Sequence, residues 1–319
     1  MYWVTNRAYT YWVFFCQVFG SSFDGSLFPV SLNSTLVCLL FNLICAVIAR
    51  VCGGAAQCFG FFDFQVFVKM PMNEVGVAAC RYSIRHLYDV ITAFDDVKRT
   101  LVEAIGFGGL LEFPAVRQIN RQFSVWLMSK VNHSSHEIVL DPDRILRFSK
   151  EDVAVVFGIP CTGNKVLENG VPSIETVQFI ASEFLGFVAR DCRSIRMVKE
   201  VIVKDYGGVM SAREQDAFKA AFVVYVMSTL LAPGAKYDYA AVDYWNAIVD
   251  PSKISCYDWG DYVVHRLMDA VVKVKADIRK GIKACNITGC CLFLQVLLYM
   301  CLVIFRFDIL LFFILRGWI

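Results

Sequence analysis

Between residues 82 and 104 the apolar side chains recur in steps of three and four: Ile84, Leu87, Val90, Ile91, Phe94, Val97, Leu101 and Val102. Side chains at that spacing share one face of a helix, so the stretch predicts a single amphipathic helix. Gly106, Gly108 and Gly109 in "IGFGGLLEF" end it. A second helical pattern begins near Pro114, whose fixed φ suits a first turn. It carries Val116, Ile119, Phe123, Trp126, Leu127 and Val131 on one face. Ile138-Val139-Leu140 and Ile145–Phe148 flank an Asp-Pro-Asp-Arg turn and predict a β-hairpin.

Ser149 then stands where a helix cap belongs, with Glu151 and Asp152 in the first turn behind it. Gly158 closes that short helix, and Pro160 stops it from continuing. Residues 174–186 and 193–204 read as two more short helices around Gly186. Lys219–Leu231 is apolar over most of its circumference, as a central core helix would be, and ends at Pro233-Gly234. The last pattern is the longest. From Asp258, positions 260, 264, 267, 271, 274 and 278 read Gly, Val, Leu, Val, Val, Ile, a seam of alternating four- and three-residue steps. The expected fold class is therefore mainly α: a compact multi-helix domain over residues 81–298 with one or two short β-hairpins.

The two ends break this pattern. Residues 1–70 hold five charged residues and residues 290–319 hold three; all the others lie between. The high apolar content of the chain thus comes from its flanks, an N-terminal segment 1–80 and a C-terminal tail 299–319. Two stretches, 33–51 and 287–305, approach the length that crosses a bilayer. Arg50 after the first, and Arg279, Lys280 and Lys283 before the second, would put the domain between them on the cytoplasmic side. Buried helices are the second reading of these stretches, and translated non-coding sequence is the third.

The net charge of +2 gives no global attraction to nucleic acid or anionic lipid. Thirteen cysteines, an odd number without a C-x-x-C pair or regular spacing, read as reduced thiols. Candidate chemistry is sparse. Asp261, His265 and Asp269 share a helix face off the apolar seam, where a solvated ion-paired stripe explains them. His133 and His136 in "NHSSH" lack a third ligand at a diagnostic spacing. Lys253 in "DPSKIS" is the lysine weighed for a Schiff base, but no phosphate-binding loop accompanies it. No catalytic set, cofactor or metal is expected. Arg190, Arg193, Arg196, Lys199 and Lys204 form a cationic stripe that could meet phosphates, without an aromatic platform beside it.

Several motifs occur together and in order. They are "IGFGGLLEFPAVRQINRQFSVWLMSKV", "LRFSKEDVAVVFGIPCTGNKV", "FVVYVMSTLLAPGAKYDYAAVDYWNAIVDPSKI", "YDWGDYVVHRLMDAV" and "NITGCCLFLQVLLY". This series resembles the plant mobile domain family, also labelled aminotransferase-like, over about residues 84–298. The positions carrying the resemblance are Gly108, Phe123, Trp126, Ser149, Asp152, Gly158, Pro160, Tyr257, Asp258, Trp259, Gly260, Leu267 and Gly289. The resemblance implies a non-catalytic helical interaction module with a protein partner. It would sit in a nuclear protein linked to gene and transposon silencing, or persist as a transposon remnant. A membrane-tethered protein, held through 33–51 and 287–305, is the alternative.

Overall fold

The computed structural model describes residues 77–79, 84–113, 119–142, 144–186, 193–236, 238–282 and 284–298. They form a mainly helical domain with short strand pairs at its joints. Strand β1 (Val77–Ala79) is followed by α1 (Ile84–Thr92) and α2 (Asp96–Ala104). The single helix expected over 82–104 is thus two. Asp95 explains the break: its carboxylate accepts the Lys98 amide at 2.8 Å and starts a new helix. The apolar periodicity survives the break because both helices bury the same stripe.

A short 3₁₀ turn, Gly108–Glu112, leads on toward α3 (Arg121–Lys130). Asn120 caps α3 by accepting the Phe123 amide, so this helix starts later than Pro114 suggests; residues 114–118 lie outside the described ones. The predicted hairpin is present as β3 (Glu137–Asp141) and β4 (Arg144–Arg147), and β2 (Val131–Asn132) adds a third antiparallel strand. Helix α4 (Lys150–Phe157) has the expected Ser149–Asp152 capping box and ends at Gly158 in the left-handed region, φ 58°. Strand β5 (Asn164–Lys165), α5 (Ile174–Glu183) and α6 (Ile195–Val203) follow.

Helix α7 (Ala212–Val226) is the centre of the core. Phe218 and every side chain from Ala220 to Val226 are buried. It begins at Ser211, earlier than its apolar run indicates, because a Ser211–Glu214 capping box supports a polar first half. Its last turn widens into a π-helical segment, Met227–Leu231. Two 3₁₀ turns, Trp245–Ala247 and Pro251–Cys256, and β6 (Tyr257–Asp258) lead into α8 (Trp259–Arg279). The seam read from the sequence is the buried face: Gly260, Val264, Leu267, Val271 and Val274 are all buried there. Aromatic contacts, edge-on except for the stacked Phe218–Phe222 pair, run from Phe94 in the turn between α1 and α2 through Phe218, Phe222 and Phe107 to Trp259, and link that turn to α7 and α8. Burying each such side chain contributes about 1.5–3 kcal/mol.

The C-terminal part corrects one expectation. Residues 287–305 were read as a membrane span. Residues 284–286 instead form β7 (Ala284–Asn286), which pairs in parallel with β1. Residues 291–298 are a short helix of which Leu292, Phe293, Leu294 and Leu298 are buried in the core. Phe293 meets Phe148 edge-on, and Gln295 donates to the Asn120 carbonyl and the Ser124 hydroxyl of α3. Of the readings this run carries, a membrane span and a buried helix, its described part follows the second. Among the described residues no helix is long and apolar enough to cross a membrane. The other candidate, 33–51, lies outside the described residues, as do 299–305 and the tail 306–319.

Candidate functional site

The Tyr-Asp-Trp-Gly stretch sits where the most segments converge. The Asp258 carboxylate accepts the Asp261 amide at 2.9 Å and so caps α8. Its other oxygen takes the Lys150 ammonium at 2.5 Å, tying the start of α8 to the start of α4. Asp258 is buried, and the pairing raises the Lys150 pKa above its ordinary value. The Trp259 indole donates to the Ile254 carbonyl at 2.8 Å, and its ring packs against Phe107, Tyr244 and Tyr262. Tyr257 and Asp258, as β6, pair in parallel with Asn164 and Lys165 of β5.

The glycines here are required by close approach. Gly260 donates to the Pro160 carbonyl at 2.9 Å, and a Cβ on it would lie 2.9 Å from the Lys150 oxygen. Gly109 and Gly158 cross backbone to backbone: a Cβ on Gly109 would stand 2.4 Å from the Gly158 Cα. No side chain fits such a contact.

The other motif positions fall into the same frame. Phe123 and Trp126 stack at 5.7 Å on α3, with Lys130 over the Trp126 ring. Ser149 and Asp152 cap α4. Gly289 donates to the Pro233 carbonyl and lies against Leu267 of α8, a Cβ there being 3.1 Å from the Leu267 Cα. Gly108 faces the Glu103 side chain. Each of these residues positions the fold.

The candidate chemistry is dispersed. Asp261, His265 and Asp269 are exposed on one face of α8, with His265 Nε2 3.8 Å from Asp269. His133 and His136 lie in the β2–β3 turn; His136 has φ 52° and stacks on Phe148. Lys253 pairs with Asp250 at 2.9 Å, which raises its pKa. An amine held protonated is a poor Schiff-base nucleophile. Cys161 lies beside Gly260, and burial together with the acids Glu151 and Asp258 raises its thiol pKa, which suppresses the reactive thiolate. Among the described residues no group of three His, Cys, Asp or Glu side chains could hold a metal ion.

The cationic stripe is rearranged. Arg190 lies outside the described residues. Lys204 turns away to Glu214, 3.3 Å, and to the Tyr206 ring. Arg196 and Lys199 remain on α6, and Arg193 stands just before its cap, Ser194. They are joined by Lys236, because the loop that follows α7 docks on α6. There the Ala240 amide donates to the Arg193 carbonyl at 2.9 Å, and Asp238 accepts from the Ser194 hydroxyl and the Arg196 amide. Between them stands Tyr239, with Arg193 at 5.1 Å and Lys236 at 4.5 Å from its ring centre. An aromatic ring thus lies at the stripe, but with cations over it, it is not a free stacking platform. Contacts across more than forty residues of sequence place Tyr239 there, and no local pattern announces them.

A second feature escaped the sequence reading. Lys98 is buried, and its ammonium donates to the Lys204 carbonyl at the end of α6, between the rings of Phe94 and Tyr206.

These observations define a helical domain whose motif residues cap and close elements. Its particular family is shown by the match to a family model: residues 80–295 match a domain of unknown function, DUF8566, and the chain belongs to that family. This overturns the resemblance to the plant mobile domain, because the family found over these residues is a different one. The motifs that suggested it are a capped helix closed by Gly-x-Pro, a Trp at a helix entry and glycines at crossings. They are devices that any helical domain can use. The aminotransferase label and the nuclear setting that came with the resemblance find no support in the match. No curated protein and no solved structure matches the chain.

Proposed function

We propose that this domain is a non-catalytic binding module. One observation carries the reading: the polar groups gathered at the most convergent point of the fold are already committed to one another. Asp258 spends one oxygen on a helix cap and the other on Lys150. The nearby thiol, Cys161, is held toward its protonated form. Acid–base or nucleophilic catalysis needs such groups free to exchange a proton or attack.

The test is chemical cross-linking of the full chain in native extract, followed by mapping of the cross-linked residues. A binding module gives reproducible cross-links to a partner on one continuous surface of residues 84–298. Absence of any specific partner, together with turnover of a small molecule that Asp258→Asn abolishes and Lys150→Gln, which breaks the same ion pair, does not, would replace this reading with an enzymatic one.

A further inference from the structure

We propose that the surface made by α6 and the loop docked on it, centred on Tyr239, binds the sugar-phosphate backbone of nucleic acid. The proposal rests on the binding-module reading and gives it a ligand class. Four cations face the ligand: Arg193, Arg196, Lys199 and Lys236. Among the described residues none of them pairs with a carboxylate within ion-pair distance. This contrasts with Lys150, Lys204, Arg213, Lys219 and Lys253, each of which is paired. Two of the four are pre-set by Tyr239, which holds Arg193 and Lys236 at its ring and so lowers the entropy lost when they bind.

The acids on this surface are Asp238 and Glu200. Asp238 is held in place by the Ser194 hydroxyl and the Arg196 amide and keeps its charge, so four cations stand against two acids. That detail selects the ligand. At the start of α6 the Arg196 amide is held by Asp238, and the Met197 amide points to the Ser194 hydroxyl. A single phosphate monoester seated on the helix end, as a phosphopeptide would place it, is therefore shut out. The cations instead extend along the helix. From Arg196 to Lys199 the rise is about 4.5 Å, and Arg193 and Lys236 continue the row beyond the helix start, which suits a row of phosphates rather than one. An anionic bilayer would need apolar side chains inserted beside the cations. The exposed apolar residue of α6 is Val203, at its far end from Arg193. Since cations already occupy the Tyr239 ring, base stacking contributes little, and binding is insensitive to sequence.

The test is fluorescence anisotropy of the full chain with a mixed-sequence DNA duplex, a mixed-sequence single strand and vesicles containing phosphatidylserine, between low and physiological salt. Four phosphate contacts give a slope of log K against log salt of about −3 to −4 on duplex. Arg196→Gln and Lys199→Gln each flatten it by about 1 and weaken binding several-fold at low salt. Lys204→Gln leaves the slope unchanged, and melting curves confirm that Arg196→Gln and Lys199→Gln stay folded. The proposal falls if neither nucleic acid binds at low salt, if the double variant binds as tightly as the parent, or if vesicles bind and nucleic acid does not. A protein partner cross-linked to another face would in that case leave the binding-module reading standing. Loss of both would remove the two together.

Discussion

Two buried aromatic regions touch each other in this fold and treat their polar atoms in opposite ways. At the start of α8, the Trp259 indole, the Tyr262 hydroxyl and the Asp258 carboxylate all have partners. One ring away, the Ser228 hydroxyl, the Tyr244 hydroxyl and the Trp245 indole are buried facing one another, without a hydrogen bond of good geometry. Tyr244 packs edge-on against both Trp259 and Tyr262, so burial does not distinguish the regions. Backbone does. The first region is built where glycines let four segments close to contact distance, so that carbonyls reach side-chain donors. The second sits against the π-helical turn 227–231, where the wider turn carries Ser228. Polar groups in the first region hold the fold together. Those in the second meet only one another, in poor geometry, and contribute little to it.

The comparison breaks most severely at Gly109. A methyl there meets the Gly158 Cα at 2.4 Å, and neither backbone can retreat. Gly109→Ala is expected to cost about 4 kcal/mol or more, read as loss of the cooperative transition in urea. Alkaline pH comes next. Burial raises the Tyr225 phenol to about 12 and pushes Tyr244 and Tyr262 well above their ordinary value of 10. A pKa raised on folding gives stability that is complete below pH 10 and is lost as pH climbs through the folded value. Tyr225 alone accounts for about 3 kcal/mol of that loss. Tyrosinate absorbance should therefore appear together with unfolding, in one transition above pH 10.

Asp258→Ala is expected to cost about 2 kcal/mol, since it removes a cap and strands Lys150. Asp258→Asn, which keeps the cap, should recover part of that in a melting curve. The smallest changes discriminate best. Tyr262→Phe deletes a hydroxyl that donates to Asp243 at 3.1 Å, at a cost of about 1 kcal/mol. Tyr244→Phe deletes one whose contacts with Ser228 and Trp245 fall short of good hydrogen-bond geometry, and it should be neutral or slightly stabilising in the same assay. Equal losses at the two tyrosines would mean that the Tyr244 hydroxyl is satisfied in solution, and the contrast between the regions would collapse.

Much of this frame can be read along the chain because its signals are local. Ser149, Gly158 and Asp258 announce helix ends within four residues of themselves, and the seam from Gly260 to Val274 is a period. What could not be read are meetings between distant segments. The crossing of Gly109 with Gly158, the docking of Tyr239 on α6 and the seating of Lys98 on the Lys204 carbonyl all join segments with no shared pattern. The apolar run at 287–298 shows the same limit from the other side. Hydrophobicity states that a segment leaves water, and only the tertiary structure states where it goes.

The parallel pairing of β1 with β7 has a consequence for how the molecule is made. Val77 must wait for Ala284 before its strand has a partner, a separation of roughly two hundred residues. At ribosomal rates of about 5–20 residues per second, that delay is on the order of ten to forty seconds. Helices α1 to α8 can form and collapse while β1 still presents unpaired amides and carbonyls to other nascent chains. Closure of the fold is therefore paced by translation itself, and the interval before it is when a chaperone would matter most.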